Sequence, residues 1–299
     1  MGLGERKKLN PDYLKNALFL SEDSRGFSTW HCAVHNGHIH VLQKLWSWTE
    51  ELQLTIKQLN KLLLAVDRDG NTAIYWAAYT GSIDLLEKLW GLCKETQLNP
   101  DDLSKLLVSA WQVAAARGYL EILERLWLWA GEVQRNPHGL KRRLLLDQNR
   151  DGKSVWHMAV AGGHVEVLEK LWGWAKEKLN TDYLKSVLFL PEDSCGFSTW
   201  YYAIREVRTD IIQKLWSWAE EMQLTADEIK TYLFLAVDRD GNSAIYWAAC
   251  TGSIELLETL RDLCKETQLN PDKMCKLLVA AWHVATARGY LEILERLWL

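Results

Sequence analysis

The sequence repeats itself, and this feature restricts the possible folds more than any other. Segment 117–128 returns unchanged at 288–299, and segment 65–71 returns unchanged at 236–242, both at an offset of 171 residues. Segment 26–33 returns with a few changes at 196–203, an offset of 170 residues. Such internal similarity predicts a stack of similar repeats, each of which contacts mainly its neighbours.

A shorter period lies inside the long one, and it is marked by the residue four places after each turn. This marker falls at Trp30, Ile74, Trp111, Trp156, Trp200, Ile245 and Trp282, with steps of 44, 37, 45, 44, 45 and 37 residues. We therefore predict a single array of about seven repeats over 1–299. Its parts are a partial N-terminal helix (1–24), repeats 25–66, 67–108, 109–148, 149–193, 194–237 and 238–279, and a truncated repeat 280–299.

Each full repeat carries the same local signals. Asp67-Arg68-Asp69-Gly70 and its counterparts predict a tight turn, because Gly accepts a positive φ and Asp favours turn positions. Thr72 and the Ser residues at equivalent places can cap the helix that follows. This first helix is rich in Ala and stops at a glycine such as Gly81. A second helix follows, with Leu residues at helical spacing over 83–90.

These signals resemble the ankyrin repeat. The family pattern joins Asp-Gly, a Thr-Ala-Leu-His cap, two Ala residues and a Gly-His turn, and residues 151–164 match it more closely than residues 69–81. The resemblance recurs seven times and implies an all-α, ankyrin-like helical repeat solenoid whose first helices line a concave groove. It also implies binding of a protein partner without catalysis. Ankyrin repeats have about 33 residues, and the full repeats here have 44 or 45.

The additional residues predict a third helix in each full repeat. Asn99-Pro100-Asp101 combines an N-cap residue, a Pro at the first helical position and an acid in the first turn. Thr225 and Glu228 form a capping box at the equivalent place. In the two 37-residue repeats the turn is deleted, so that segment 103–108 leads directly into segment 109–111. The third helix should there be joined to the next first helix, or tightly kinked against it.

The 17 Trp residues are explained mostly by packing. Eleven occupy the core position of the first helix or follow Leu on the second helix: Trp30, Trp111, Trp156, Trp200, Trp282, Trp46, Trp90, Trp127, Trp172, Trp216 and Trp298. A large ring fills the wider gap that a third helix creates. The second Trp of each Trp-x-Trp pair is predicted to pack under the third helix: Trp48, Trp129, Trp174 and Trp218.

Composition argues against several functional classes. The 35 Lys and Arg residues against 39 Asp and Glu residues give a net charge of −4, so nucleic-acid binding driven by phosphate neutralisation is not expected. No apolar stretch reaches the roughly 18 residues of a membrane helix, so we expect no membrane span. The six Cys residues form no C-x-x-C pair, which favours reduced thiols and a cytoplasmic location.

No catalytic motif stands out, so we predict that the protein is not an enzyme and needs no cofactor. It has no Gly-x-Ser-x-Gly sequence and no glycine-rich phosphate loop. The richest cluster of candidate metal ligands is His31, Cys32, His35, His38 and His40. The related copy has Tyr201, Arg205, Arg208 and Asp210 in place of the four His residues. We therefore predict structural His residues and no metal site.

The concave face is the predicted functional surface. The residue after the capping-His position should point there: Cys32, Trp76, Val113, Met158, Tyr202, Trp247 and Val284. Aromatic and Arg side chains are the usual anchors of protein interfaces. The candidate partner-binding residues are Arg25, Arg68, Trp76, Tyr79, Arg150, Tyr202, Arg205, Arg239 and Trp247. The alternative is that Trp76 and Trp247 pack sideways against the neighbouring repeat.

Three other interpretations stay open: a repeat module of a larger channel-like or toxin-like protein, an array that assembles with copies of itself, and an enzyme with an unrecognised site. Both termini look cut from a longer array. Residues 9–14 match 179–184, a third helix without its own first two, and the last repeat stops inside its second helix. We expect an exposed apolar C-terminal face at Trp298 and Leu299, which a partner of unknown identity, a second copy or further chain would cover.

Overall fold

A computed structural model describes Phe19 and residues 21–133, 137–190, 193–267 and 270–298, with the backbone alone at positions 137, 138 and 271. The predicted N-terminal third helix at residues 9–14 and the terminal Leu299 lie outside the described residues. In the described ranges the chain is helical, and the only extended pairs are two isolated bridges, Val66 with Thr72 and Val237 with Ser243.

The helices follow the predicted order of first, second and third helix. They are α1 (Thr29–His35), α2 (Ile39–Glu51), α3 (Ile56–Leu63), α4 (Ala73–Thr80), α5 (Ile83–Glu95), α6 (Pro100–Arg117), α7 (Leu120–Glu132), α8 (Pro137–Leu146), α9 (Val155–Gly162), α10 (Val165–Lys178), α11 (Thr181–Phe189), α12 (Thr199–Arg205), α13 (Thr209–Glu221), α14 (Ala226–Ile229), a π-helix (Lys230–Leu235), α15 (Ala244–Thr251), α16 (Ile254–Glu266), α17 (Pro271–Arg288) and α18 (Leu291–Trp298). The predicted all-α repeat fold with three helices per full repeat is confirmed.

The chain divides into two compact units. Unit 1 comprises Met1–Ala114 and Tyr119–Lys141, and unit 2 comprises Ala115–Gly118 and Arg142–Leu299. Each contains successive helical repeats that pack side by side, such as α1 against α4 in unit 1 and α12 against α15 in unit 2. The repeat boundaries derived from the sequence, and the single array that they compose, stay predictions.

Where a turn precedes a first helix, it is built around one side-chain oxygen. In unit 1, Asp67 Oδ1 accepts hydrogen bonds from the backbone N–H groups of Asp69 and Asn71, each at 2.9 Å. Asp238 makes the same bonds in unit 2, and an amide oxygen of Asn149 replaces the carboxylate two repeats earlier. As predicted, Gly70, Gly152 and Gly241 have positive φ, at 85°, 75° and 84°.

The two short repeats have joined helices, as the deleted turn predicts. Helix α6 runs without interruption from Pro100 to Arg117, and α17 runs from Pro271 to Arg288. Each therefore combines a third helix with the first helix of the next repeat. No turn projects at these two places.

The change of offset from 170 to 171 residues has a structural counterpart. The segment between Thr225 and Ala236 is one residue longer than the segment between Thr55 and Ala65. The shorter segment forms α3, whereas the longer one changes from α14 into the π-helix Lys230–Leu235. A π-helix has a wider turn and accommodates the additional residue without shifting the flanking segments.

Most of the Trp residues are buried, as predicted. Those of the first helices are almost completely enclosed: Trp30, Trp111, Trp156 and Trp200 are at most 1% exposed. Trp298 is 80% exposed, in agreement with the predicted apolar C-terminal face. Of the second Trp residues, Trp129 stacks on Trp90 and Trp218 on Trp172, each with 4.8 Å between ring centroids. These partners lie on the preceding second helix, a neighbour that the sequence prediction did not name. For Trp48 the prediction of packing under the third helix is wrong, since its side chain is 38% exposed.

Candidate binding surface

In unit 1, Trp76 of α4 is the centre of an aromatic cluster. Its ring is half-buried and lies 5.4 Å from the ring of Phe27, 4.7 Å from His35 and 5.1 Å from Tyr79, all edge-on. Phe27 and His35 belong to the preceding repeat. The sideways packing that we considered as an alternative is therefore present for Trp76. The partial exposure leaves one side of the cluster open to solvent.

A polar contact fixes the Trp76 ring. Its Nε1–H donates to Oδ2 of Asp67 at 2.9 Å, across nine residues of sequence. Unit 2 repeats this arrangement: Trp247 is half-buried, donates to Oδ2 of Asp238 at 2.9 Å and lies 5.5 Å from the ring of Phe197. Both indoles are thus positioned by their own turn and by the Phe of the preceding repeat. Their predicted contact with a partner stays a prediction.

Tyr202 corrects one expectation. We predicted that it lies on an exposed face, and it is only 2% exposed. Its hydroxyl donates to Oδ2 of Asp193 at 2.9 Å, and its ring packs 5.1 Å from His157 and 5.9 Å from Phe197. Burial and the hydrogen bond to Asp193 raise the pKa of the Tyr202 hydroxyl. The side chain thus supports the turn in unit 2 and presents no surface to a partner.

Two further candidates border these clusters. Tyr79 is half-buried beside Trp76 in unit 1. In unit 2 the guanidinium of Arg205 lies over the ring of Tyr202 at 4.5 Å and over that of Phe197 at 5.4 Å, and it pairs with Glu206 at 2.9 Å. Such cation–π contacts hold a cation against an aromatic surface. The position equivalent to Arg205 in unit 1, 170 residues earlier, is His35, so the two clusters present different side chains.

The turn tips carry the four predicted Arg residues, all of them exposed: Arg25, Arg68, Arg150 and Arg239. Backbone hydrogen bonds connect adjacent tips. The N–H of Arg68 donates to the carbonyl of Arg25 at 3.2 Å in unit 1, and that of Arg239 donates to Cys195 at 3.2 Å in unit 2. The Arg25 side chain lies 4.5 Å over Phe27 and pairs with Asp23 at 3.3 Å. The tips therefore carry charged side chains on a backbone that hydrogen bonds to the neighbouring tip hold in place.

The buried His residues have structural roles. His157 accepts a hydrogen bond from the N–H of Ser154 at 3.1 Å through Nδ1, and its Nε2–H donates to the carbonyl of Phe197 in the next repeat at 3.1 Å. His31 makes the same contacts with Ser28 and Ala65. Burial lowers the pKa of His157 to about 4 and also lowers that of His31. Both rings are therefore neutral near pH 7.

The related copy has Tyr201 at the position of His31, and its hydroxyl donates to the carbonyl of Ala236. A phenol thus replaces an imidazole in the same link to the segment that precedes the next turn, which supports the structural interpretation of these His residues. Among the residues that the structure describes, no three His, Cys, Asp or Glu side chains are grouped in a way that could hold a metal ion. In the same ranges no helix is both long enough and apolar enough to span a bilayer.

Sequence reasoning missed the two Phe residues and the buried Asp residues of the turns. Phe27 and Phe197 are 7% exposed and Asp67 and Asp193 are 5% exposed. A partial signal was available. An aromatic residue lies nine places after the turn residue at Trp76, Tyr202 and Trp247, whereas Cys32 follows Asp23 and Met158 follows Asn149 at that spacing. Where the aromatic residue is present, its side chain donates a hydrogen bond to the carboxylate of the turn Asp.

The turns, the Ser and Thr caps, the glycine stops and the paired helices together determine the fold type. It is an ankyrin-like repeat fold. No protein-family model and no curated protein matches the sequence. Among solved structures, the crystal structure of the human ASB11 ankyrin repeat domain is similar, with a TM-score of 0.48 and 16% sequence identity. That similarity covers 82% of this chain and 85% of the ASB11 chain.

Proposed function

We propose that this chain is a non-catalytic interaction module that binds a protein partner through the first-helix faces and turn tips of its repeats. The observation that carries this proposal is the duplicated, half-open aromatic cluster around Trp76 in unit 1 and Trp247 in unit 2. Each cluster is accompanied by an exposed Arg at the adjoining tip, Arg68 or Arg239. Trp, Tyr and Arg are the residues in which binding energy is usually concentrated.

The fixed geometry of these side chains supports the proposal. Each indole is held by a hydrogen bond to its turn Asp and by an edge-on contact with a Phe. A side chain that is already ordered loses little conformational freedom when a partner binds, so that more of the contact energy appears as affinity. The tips are also ordered, since backbone hydrogen bonds connect neighbouring turns.

The tip arginines provide the sharper test, because Trp76→Ala would remove packing as well as any partner contact. The double variant Arg68→Glu with Arg239→Glu reverses two exposed charges and leaves the aromatic clusters in place. We expect this variant to lose at least about tenfold in affinity for the partner, as removal of interface anchors does. Affinity capture with mass spectrometry identifies the partner with the unchanged protein, and titration then compares the variants.

The matched control is Lys57→Glu with Lys276→Glu, since both residues are exposed and lie on third-helix segments away from the tips. Both double variants should melt at the temperature of the unchanged protein. Equal loss of affinity in the two variants would indicate a general charge effect. Equal retention by the tip variant and the unchanged protein would contradict the proposed surface.

A further inference from the structure

A cavity of about 210 Å³ lies in unit 2 between helices α15, α16, α17 and α18. Its apolar lining comes from Ile245, Leu257, Met274, Leu278 and Leu297, and its charged lining comes from Glu258, Arg261, Lys265 and Arg296. An apolar cavity of about 150 Å³ is enough to hold a benzene ring. The space is therefore large enough for a small ligand with one or two rings.

The side chain that corresponds to Arg261 in unit 1 is an indole. Position 261 is Arg where the sequence copy has Trp90, at the 171-residue offset. Trp90 is 4% exposed and stacks on Trp129 with an angle of 8° between the ring planes. Position 300, which would correspond to Trp129, lies outside the sequence, so that the comparison concerns position 261 alone. In unit 2 the exchange of Trp for Arg removes an aromatic ring and adds a positive charge.

Arg261 differs from the other cations of the lining because it has no carboxylate partner in the described part of unit 2. Arg296 pairs with Glu258 at 2.9 Å, and Lys265 pairs with Asp262 at 3.0 Å. The Nη1 of Arg261 donates to the carbonyl of Arg296 at 3.5 Å, and its Nε is buried without a hydrogen-bond partner. A buried N–H group without a partner is costly, and an anionic acceptor would satisfy it.

We propose that this cavity, the Arg261 cavity, binds a small aromatic carboxylate. The apolar residues Ile245, Leu257, Met274, Leu278 and Leu297 enclose the ring. The guanidinium of Arg261 receives the carboxylate, a group whose two oxygens match its planar N–H donors. Apart from Ile245 at the start of α15, the lining lies on the second helices α16 and α18 and on the joined helix α17, and it includes none of the residues of the proposed partner surface.

The binding test uses 2-naphthoate and its neutral analogue 2-naphthamide as probes of the purified chain. Isothermal titration calorimetry measures affinity, and saturation-transfer NMR reports contact with the ring. We expect 2-naphthoate to bind with a Kd below about 1 mM. The amide should bind about ten- to a hundredfold more weakly, because it lacks the charge that strengthens the hydrogen bonds to Arg261.

Two variants locate the site. Arg261→Gln leaves the cavity open and should reduce the affinity for naphthoate to that for the amide. Arg261→Trp restores the residue of the related repeat, so that it should abolish binding of both probes and raise the melting temperature. Arg143→Gln, an exposed Arg on α8 of the same unit, is the control and should bind as the unchanged protein does. Absence of binding, equal affinity for both probes, or binding that persists in Arg261→Trp would overturn the proposal.

Discussion

At the scale of single residues, the turn carboxylate connects the shape of the turn with the order of the surface beside it. One oxygen of Asp67 accepts two backbone N–H groups, and the other accepts the Nε1–H of Trp76. In the next turn of the same type Asn149 keeps the backbone bonds, and Met158 takes the position of the indole. The backbone bonds of the turn thus need only one side-chain oxygen, and the second oxygen of Asp67 is available to the indole.

The buried His157 predicts that stability depends on pH. Its pKa is about 4 in the folded protein against 6.5 as the ordinary value, so the unfolded chain binds more protons between these values. Stability should therefore be complete above about pH 6.5 and decrease as the pH falls towards 4. His157 alone accounts for a loss of roughly 3 kcal/mol over this range.

Urea unfolding at a series of pH values measures this loss. The variant His157→Gln removes the titrating group and should reduce the slope between pH 6.5 and 4, while His31 continues to contribute in the same direction. An identical slope in the variant and the unchanged protein would contradict the assignment.

Two turn glycines with the same backbone conformation form a matched pair. Gly152 and Gly241 have φ of 75° and 84°, so a Cβ at either position is strained. A Cβ at Gly152 would also lie 2.9 Å from the backbone of Asp193 and Ser194, whereas at Gly241 nothing lies within 4 Å. We expect Gly241→Ala to cost about 1 kcal/mol and Gly152→Ala a further ~1 to 3 kcal/mol. Chemical denaturation of both variants would reveal the difference, and equal costs would argue against close contact of the turns.

The sequence predicts which positions form the first-helix face, but not how deeply each side chain is buried there. The register of α4 follows from the Thr72 cap and the Gly81 stop, and that of α12 follows from the Ser198 cap. The environment of Trp76 depends on Phe27, which lies 49 residues earlier, and that of Tyr202 depends on His157 in the preceding repeat. Such contacts depend on how neighbouring repeats stack. A motif within one repeat carries no information about which side chains of the next repeat will lie against it.

At the scale of elements, the π-helix shows how one additional residue is accommodated. The sequence shows that the second copy is one residue longer, but α-helix, bulge and loop could each take up that residue. Leu233 and Phe234 are completely buried in the π-helix, and Leu62 and Leu63 are buried at the end of α3. Keeping the buried pair in place determines the outcome, since a one-residue shift in a regular helix would rotate it by about 100° out of the core.

Deletion of one residue from the π-helix should restore an α-helix. We expect removal of the exposed Thr231 to preserve the fold and to leave stability unchanged or higher. The matched control, removal of the exposed Lys61 from α3, should destabilise strongly because Leu62 and Leu63 would leave the core. Thermal unfolding compares the two deletions. Similar destabilisation by both would show that the π-helix is needed for packing.

At the scale of the whole molecule, the exposed apolar side chains of α18 predict self-association of this chain. Trp298 is 80% exposed and Leu291 is 68% exposed, and both lie on α18. Adjacent exposed apolar side chains of this size favour association. Light scattering should show a mass that rises with concentration, and Leu291→Lys with Trp298→Lys should hold the protein as a monomer. A protein that stays monomeric at millimolar concentration without these changes would refute the prediction.

The hydrogen bonds between turn tips have a consequence for proteolysis. Trypsin cleaves after Arg, and exposed loops are its usual targets because they can extend into the active site of the protease. Arg68 and Arg239 are exposed, but their own N–H groups are bound to the neighbouring tip and the following Gly70 and Gly241 close tight turns. Under native conditions limited digestion should therefore spare the peptide bonds after these two residues, although their side chains are accessible. The tips would then resist cleavage as regular helices do, although their backbone has the irregular conformation of loops.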